Sequence, residues 1–272
     1  MSDAEPHGPL IVELAQSTSD VRESQSLRWR VFHDEMGAEL PVHRELGPGF
    51  DHDAWDDFCD HLLVRDAVSR RLIASTRILT GSRAWTAGGF YSQGEFDLSG
   101  LRDLPERVME VGRTCVDPAY RGGGAIASLW AGLARYMVSE SFDAMIGCAS
   151  VPIPANDHLT ASWLDALCTR HMGPESLRVQ PLHGLTEAGF DLERGDIERT
   201  SSTTSFAPPP LLKGYLRLGA YLCGPPCYDP AFGTADVFIF LDVQRIPARY
   251  HRHFLRDVRV AEPNDAMVAG EF

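Results

Sequence analysis

Glu110 and Arg113 flank Gly112, and Arg121-Gly-Gly-Gly-Ala125 follows shortly after them. A carboxylate and a guanidinium three residues apart fall on opposite faces of a regular strand. A glycine inside a strand often marks a bulge, and one extra residue brings both side chains to one face. A buried glutamate there has a raised pKa and can act as a general base. The same two residues can equally form an ion pair that holds strands together. The glycine run is the second chemical signal. Its backbone N–H groups can approach an anion, and a helix starting behind it adds the positive end of its dipole. An arginine ahead of the glycines suits a pyrophosphate or a phosphopantetheine arm, although an ordinary strand-to-helix turn has the same composition. The order of parts excludes a P-loop, and the absence of Gly-x-Gly-x-x-Gly argues against a dinucleotide site.

Other clusters carry weaker chemistry. Asp51, Asp53, Asp56, Asp57 and Asp60 crowd one acidic loop. A ligand with ammonium groups would find partners there, and a solvated loop has the same look. The spacing lacks the glycine and the terminal glutamate of a calcium loop, so no metal is expected. Arg77 lies inside an apolar strand, where it must pair with a neighbouring carboxylate or reach a ligand carboxylate. Cys223 and Cys227, with His251 and His253, match no zinc pattern and read as two buried thiols flanking a turn. No Gly-x-Ser-x-Gly elbow is present, so a serine nucleophile has no support. Arg245, Arg249, Arg252 and Arg256, with His251 and His253, form a local basic patch. It suits an acidic partner or anionic lipid, or is a solvated terminal helix.

The elements that must position these residues follow from periodicity. Leu10–Leu14 reads as a short strand. A helix capped at Ser19 or Asp20 runs to about Met36, with Gly37 as its stop. Paired strands cover His61–Arg65 and Leu72–Leu79 around the turn 67–70. The strand Val108–Val116 ends at Asp117-Pro118, and a helix starts near Ala125, where Ile126, Trp130, Leu133 and Met137 keep helical spacing. Phe142–Ser150 is a buried strand, Leu159–Met172 a helix, and 177–182 a short strand. Alternation at Leu216, Leu218, Ala220 and Leu222, and again at Val237–Val243, gives two last strands. The order predicts a mixed α/β sheet with helices on its faces. Residues 1–9 read as a loose N-terminus, 10–260 as one domain, and 261–272 as a loose tail. The 272 residues are 44% hydrophobic, enough for a proper core, and their net charge of −13 argues against nucleic-acid binding. The six cysteines are scattered, no signal peptide is evident, and no apolar run is long enough to span a bilayer. A cytoplasmic protein with reduced thiols, and at most peripheral membrane contact, is expected.

Taken together, these segments resemble the GNAT N-acyltransferases. Within that superfamily they resemble the acyl-carrier-protein-dependent ornithine N-alpha-acyltransferases that make lyso-ornithine lipid. The likeness rests on Arg28-Trp-Arg-Val-Phe32-His-Asp-Glu35-Met-Gly37, Asp57-Phe-Cys-Asp60-His61-Leu-Leu-Val and Glu110-Val-Gly-Arg113 through Arg121. It rests also on Ile126–Tyr136 and on Leu212 through Thr234-Ala-Asp236 to Phe254, and it covers about residues 10–256. A fainter likeness is to acyl-homoserine lactone synthases, whose motif residues fall at Arg28, Phe32, Asp57, Asp60, Arg77, Glu110 and Arg113. Ile126 departs from the broader acetyl-CoA pattern, where Gly or Ala is usual, and suits a donor delivered by a carrier protein.

The resemblance implies an α/β (α+β) fold with a mixed, mostly antiparallel sheet and helices on both faces. It implies transfer of a long-chain, 3-hydroxyacyl group from acyl carrier protein to the alpha-amine of L-ornithine. Glu110 is then the base, with Arg113 beside it, and Arg28, Phe32, Asp57, Asp60 and Arg77 bind the amino acid. Arg121, Gly122, Gly123, Gly124 and Ala125 hold the phosphopantetheine, and Arg245, Arg249, Arg252 and Arg256 dock the carrier. No cofactor is expected to be permanently bound, acyl-phosphopantetheine being a co-substrate. Another amino acid as acceptor, an acyl-homoserine lactone as product, and a non-catalytic carrier- or lipid-binding module are the alternatives.

Overall fold

The computed structural model describes residues 9–101, 104–122, 124–192 and 207–248. The expected tail 261–272, all but the last residue of the expected N-terminal segment 1–9, and Gly123, Arg249, Arg252 and Arg256 lie outside these residues. The main sheet contains β1 (Leu10–Leu14), β2 (Asp60–Asp66), β3 (Leu72–Thr80), β5 (Val108–Val116), β6 (Ala144–Pro152), β8 (Tyr221–Leu222), β9 (Cys227–Asp229) and β10 (Thr234–Asp242). Their order is β1-β2-β3-β5-β6-β10-β8, with β9 also paired to β10. Neighbours are antiparallel except β5 and β6, which run parallel. This is the mixed, mostly antiparallel sheet that the element order and the resemblance lead one to expect. The short strands β4 (Phe96–Asp97) and β7 (Gln180–Pro181) pair separately.

Helices cover both faces because the strands alternate. Leu62, Val64 and Ile73 point into one core with Leu129, Leu133 and Met137 of α3 (Ala125–Ser139). Their neighbours Leu63 and Leu72, with Cys115, point the other way onto Leu27 and Val31. Leu27 belongs to α1 (Thr18–Trp29), whose N-cap is Ser17. The Asp20 N–H donates to Ser17 Oγ at 3.2 Å, and Asp20 Oδ2 accepts the Ser17 N–H at 3.1 Å. The cap therefore lies two residues before Ser19, with Asp20 in the third helical position of a capping box. Beyond Trp29 the helix widens into one π-helical segment, Arg30–Glu35, and stops at Gly37 with φ +77°.

The first part of one expected strand is a helix. Pro210–Leu218 (α5, after α2 at Gly81–Ala87 and α4 at His158–Arg170) buries Leu212, Tyr215 and Leu218 at helical spacing. Its first residue is a proline, which suits a helix start, and Gly219 closes it at φ +90°. The alternation from Leu216 to Leu222 thus straddles a helix end and the two-residue strand β8.

The parallel pair shapes the site. β5 and β6 match only at Val108–Glu110 with Ala144–Ile146. Beyond Glu110 the two strands part, and a wedge opens between their C-terminal halves. Gly147 sits at the fork with φ +155°, and a Cβ there would lie 2.3 Å from the Val111 carbonyl oxygen. Gly147→Ala should therefore force the fork open. We expect it to cost about 1–3 kcal/mol, the usual penalty of overpacking, read as a lower urea midpoint with an unchanged slope.

Candidate active site

The wedge is the mouth of a cavity of about 480 Å³ lined by Glu110–Val116 of β5 and by Cys148, Ser150 and Pro152 of β6. The bulge expected at Gly112 is present. Arg77 of β3 pairs with Gly112 and Ser75 with Cys115, so β5 carries an extra residue between them. Arg113 takes φ +52° there. The kink places both Glu110 and Arg113 on the cavity wall.

Glu110 is 4% exposed. The Tyr91 N–H donates to its Oε2 at 2.7 Å and the Ser92 N–H to its Oε1 at 2.9 Å. Burial lifts the carboxyl above the ordinary range, while these two amides pull it back. The carboxylate is thus fixed in one orientation with lone pairs to spare. Arg113 is sandwiched between the Tyr91 ring, 4.8 Å from its Cζ, and the Phe232 ring at 5.0 Å. Burial, the leading cause, pushes the Tyr91 phenol up to about 12, so it stays neutral.

Behind the wall lies a closed charge network. Arg28 makes a bidentate pair with Asp56, at 2.9 and 2.7 Å, and its Nε lies 2.9 Å from Asp51 Oδ2. A third Arg28 donor reaches the Asp51 backbone carbonyl. Arg77 Nη1 donates to Asp53 at 2.5 Å and to Asp56 at 3.0 Å. Arg113 Nε donates to Asp51 Oδ2 at 3.2 Å. Three arginines face three aspartates, so the network is neutral. Burial would raise the Asp56 carboxyl, but Arg28 and Arg77 outweigh it and hold it far below the usual range.

The residues singled out in the sequence fall into groups. Glu110, Arg113, Arg77, Phe32, Arg121 and Gly122 line the cavity. Arg28 is buried within the network behind it. Asp57 is exposed, and Asp60 accepts from Tyr136 Oη at 2.6 Å and from Arg83 at 2.6 Å, away from the cavity. The acidic loop meets the arginines through Asp51, Asp53 and Asp56 instead. Gly124 and Ala125 form the start of α3. Arg121, on the half-exposed rim, donates to Glu35 at 2.5 and 2.8 Å. Arg245 is exposed and stacks on Tyr221, 3.9 Å from ring to Cζ. Cys223 and Cys227 are buried free thiols.

Three further carboxylates on the cavity wall, Glu95, Asp229 and Asp236, escaped the sequence reading as site residues. Asp236 had a signal, since it is the one charge inside the apolar strand β10, whose other aspartate, Asp242, ends it, as Arg77 is in β3. Glu95 lies in irregular backbone and had none.

Residues 27–131 match the acetyltransferase (GNAT) domain family. The chain is 37% identical to an L-ornithine N(alpha)-acyltransferase of Agrobacterium fabrum, covering 91% of this chain and 85% of that protein. It is 36% identical to the enzyme of the same name from Brucella abortus, covering 91% and 89%. Among solved structures it is similar in fold to a CoA-dependent acyl-homoserine lactone synthase determined with SAM and isopentyl-CoA, with a TM-score of 0.55, 13% identity, and 91% and 89% of the two chains covered.

Proposed function

The chain belongs to the L-ornithine N(alpha)-acyltransferase family of GNAT-fold enzymes, and from that premise we propose that it moves a long-chain acyl group from the phosphopantetheine of acyl carrier protein to the alpha-amine of L-ornithine. The observation that carries this reading is the wedge between β5 and β6, with a fixed, buried carboxylate at its fork and an apolar cavity beyond. Where the strands part, the β5 edge from Val111 onward has no ladder partner on β6. Such an edge offers backbone donors and acceptors to an extended amide-bearing arm, in the way a sheet edge takes up a peptide. Val31, Phe32, Leu79, Val111, Ile126 and Leu211 give the acyl chain apolar contact.

The mechanism is direct transfer. Glu110 takes a proton from the ornithine alpha-ammonium, directly or through one water, and frees the nitrogen lone pair. The nitrogen attacks the thioester carbonyl, the C–N bond forms, and a tetrahedral oxyanion collapses with loss of the C–S bond. The pantetheine sulfur leaves as thiolate and takes the second proton from the acylated nitrogen, which gives the neutral amide and the free thiol; the first proton stays on Glu110 and passes to solvent. Holding amine and thioester together in a cavity shielded from water supplies much of the rate. The Tyr91 and Ser92 amides keep Glu110 in place, and Arg113 holds the Tyr91 ring against which it stacks. The product, an acylated amino acid with one long chain, is amphipathic and passes to a membrane surface. No helix among the described residues is long and apolar enough to cross a membrane.

The test is turnover of purified protein with long-chain acyl carrier protein and L-ornithine, followed by thiol release and product mass, against a panel of other amino acids. Release that does not depend on an amino acid would defeat the assignment. The rim supplies a further expectation. Arg121 offers the pantetheine phosphate two charge-assisted donors once it lets go of Glu35. Arg121→Ala should raise the KM for acyl carrier protein about tenfold with kcat little changed, the signature of lost uniform binding. An unchanged donor KM would remove Arg121 from the phosphate site. Carrier docking falls to the exposed Lys213 and Arg217 beside the cavity, with Arg245 and the basic patch that follows it.

A further inference from the structure

Three carboxylates from separate segments meet at one end of the cavity. Glu95 precedes β4, Asp229 ends β9 and Asp236 lies on β10, and one oxygen of each lies within 4.8 Å of the others. They sit at the Glu110 end. The Cys148 thiol is pushed well up first by burial and then by the fields of Glu95, Asp236 and Glu110. Asp229 Oδ1 is used within its own turn, accepting the Ala231 N–H at 2.9 Å. Asp236 is 3% exposed and accepts from Thr234 Oγ1 at 3.3 Å. Glu95 Oε2 is a buried oxygen with no hydrogen-bond partner among the described residues.

Among the described residues no Arg, Lys or His forms an ion pair with any of the three, and the nearby Arg77 and Arg113 are engaged by Asp51, Asp53 and Asp56. Like charges this close, with Asp236 buried and Glu95 and Asp229 half-buried, must hold protons or take in a cation. Burial is the main cause that pushes the Glu95 carboxyl up to about 9 and also raises Asp236. An ammonium entering the cavity would satisfy the orphaned oxygen and let Glu95 and Asp236 ionise.

We propose that Glu95, Asp229 and Asp236 form the subsite for the side-chain ammonium of a diamino acid, and that they select such acceptors over neutral amino acids. The proposal rests on the acyl-transfer reading, because it places the second amino group of the acceptor beyond the one that reacts. It assigns selectivity to residues outside the acidic loop.

The experiment compares L-ornithine with L-norvaline, the same carbon skeleton without the terminal amine, using the full-length protein and one acyl carrier protein donor. Wild-type kcat/KM should favour ornithine about 100-fold or more, since a site built for a polar group rejects an analogue that leaves it unpaired. In Glu95→Gln and Asp236→Asn that ratio should fall at least about tenfold. A wild-type ratio near one overturns the subsite without any variant. So does an unchanged ratio in both variants, or a stoichiometric divalent metal found by elemental analysis of wild type and absent from Glu95→Gln. Should Asp236→Asn fail to fold, as judged by thermal unfolding, the Glu95 variant and the wild-type ratio decide. A wild type that acylates neither amino acid defeats the acyl-transfer reading itself, a different failure.

Discussion

Replacing Glu110 by glutamine is expected to lower kcat about 100-fold or more, the usual loss of a positioned general base, in a protein that stays folded. Glutamine keeps the length of the side chain and one acceptor oxygen. It turns an NH2 toward one of the two amides, Tyr91 or Ser92, that the carboxylate accepts from. Some stability is therefore lost along with the base, and a thermal scan accompanies the kinetics. The pH profile separates the two effects. Glu110 must be ionised to take a proton, and burial raises its pKa. In the wild type, kcat should rise with pH through a value above that of a free glutamate. The variant should lose that limb along with most of its rate. Near-normal kcat in a folded variant would show that Glu110 only anchors the backbone at Tyr91 and Ser92.

Arg28→Met is expected to destabilise the protein by about 3–5 kcal/mol, the cost of leaving buried charge without its partner. Arg28 is 1% exposed and faces both Asp51 and Asp56. Its removal leaves three carboxylates for two guanidiniums in a site closed to water. Urea unfolding measures the loss, and a change below about 1 kcal/mol would show that the network is far better hydrated than its burial implies. The pH dependence has a definite sign. The folded Asp56 pKa lies far below its ordinary value, so its contribution is complete above about pH 4 and is lost as pH falls. Stability of the wild type should drop through the acid range. The drop should be shallower in Arg28→Met, where the main cause of the depression is gone.

Much of the frame was legible in the sequence because the signals were local. Val108–Val116 has the branched apolar composition of a strand and a proline stop, and the strand occupies those residues. Gly112 announced a bulge, and the bulge is there. The misreadings share a cause, which is that partners distant in sequence decided between two local readings. Leu216–Leu222 alternates well enough for a strand, yet Tyr215 packs edge-on against Trp130 of α3 at 4.8 Å, a contact that favours the helix. In the acidic loop, five aspartates look alike along the chain, and it is the distant arginines on α1, β3 and β5 that select Asp51, Asp53 and Asp56. The parting of β5 from β6 had no signature in either strand alone, because it depends on where a parallel ladder stops.

The neutral ring of three arginines and three aspartates also governs how this catalyst can diverge. Each member touches at least one opposite charge, so single replacements there are strongly non-additive and carry a penalty that only a matched second change can lift. Such epistasis should hold the ring fixed across a lineage. Among the described residues, Glu95, Asp229 and Asp236 stand outside it and pair with no arginine. With the proposed ammonium subsite at those three positions, new acceptor preferences should arise by drift there while the ring and Glu110 stay fixed, and descendants with different products would keep the same hidden charges.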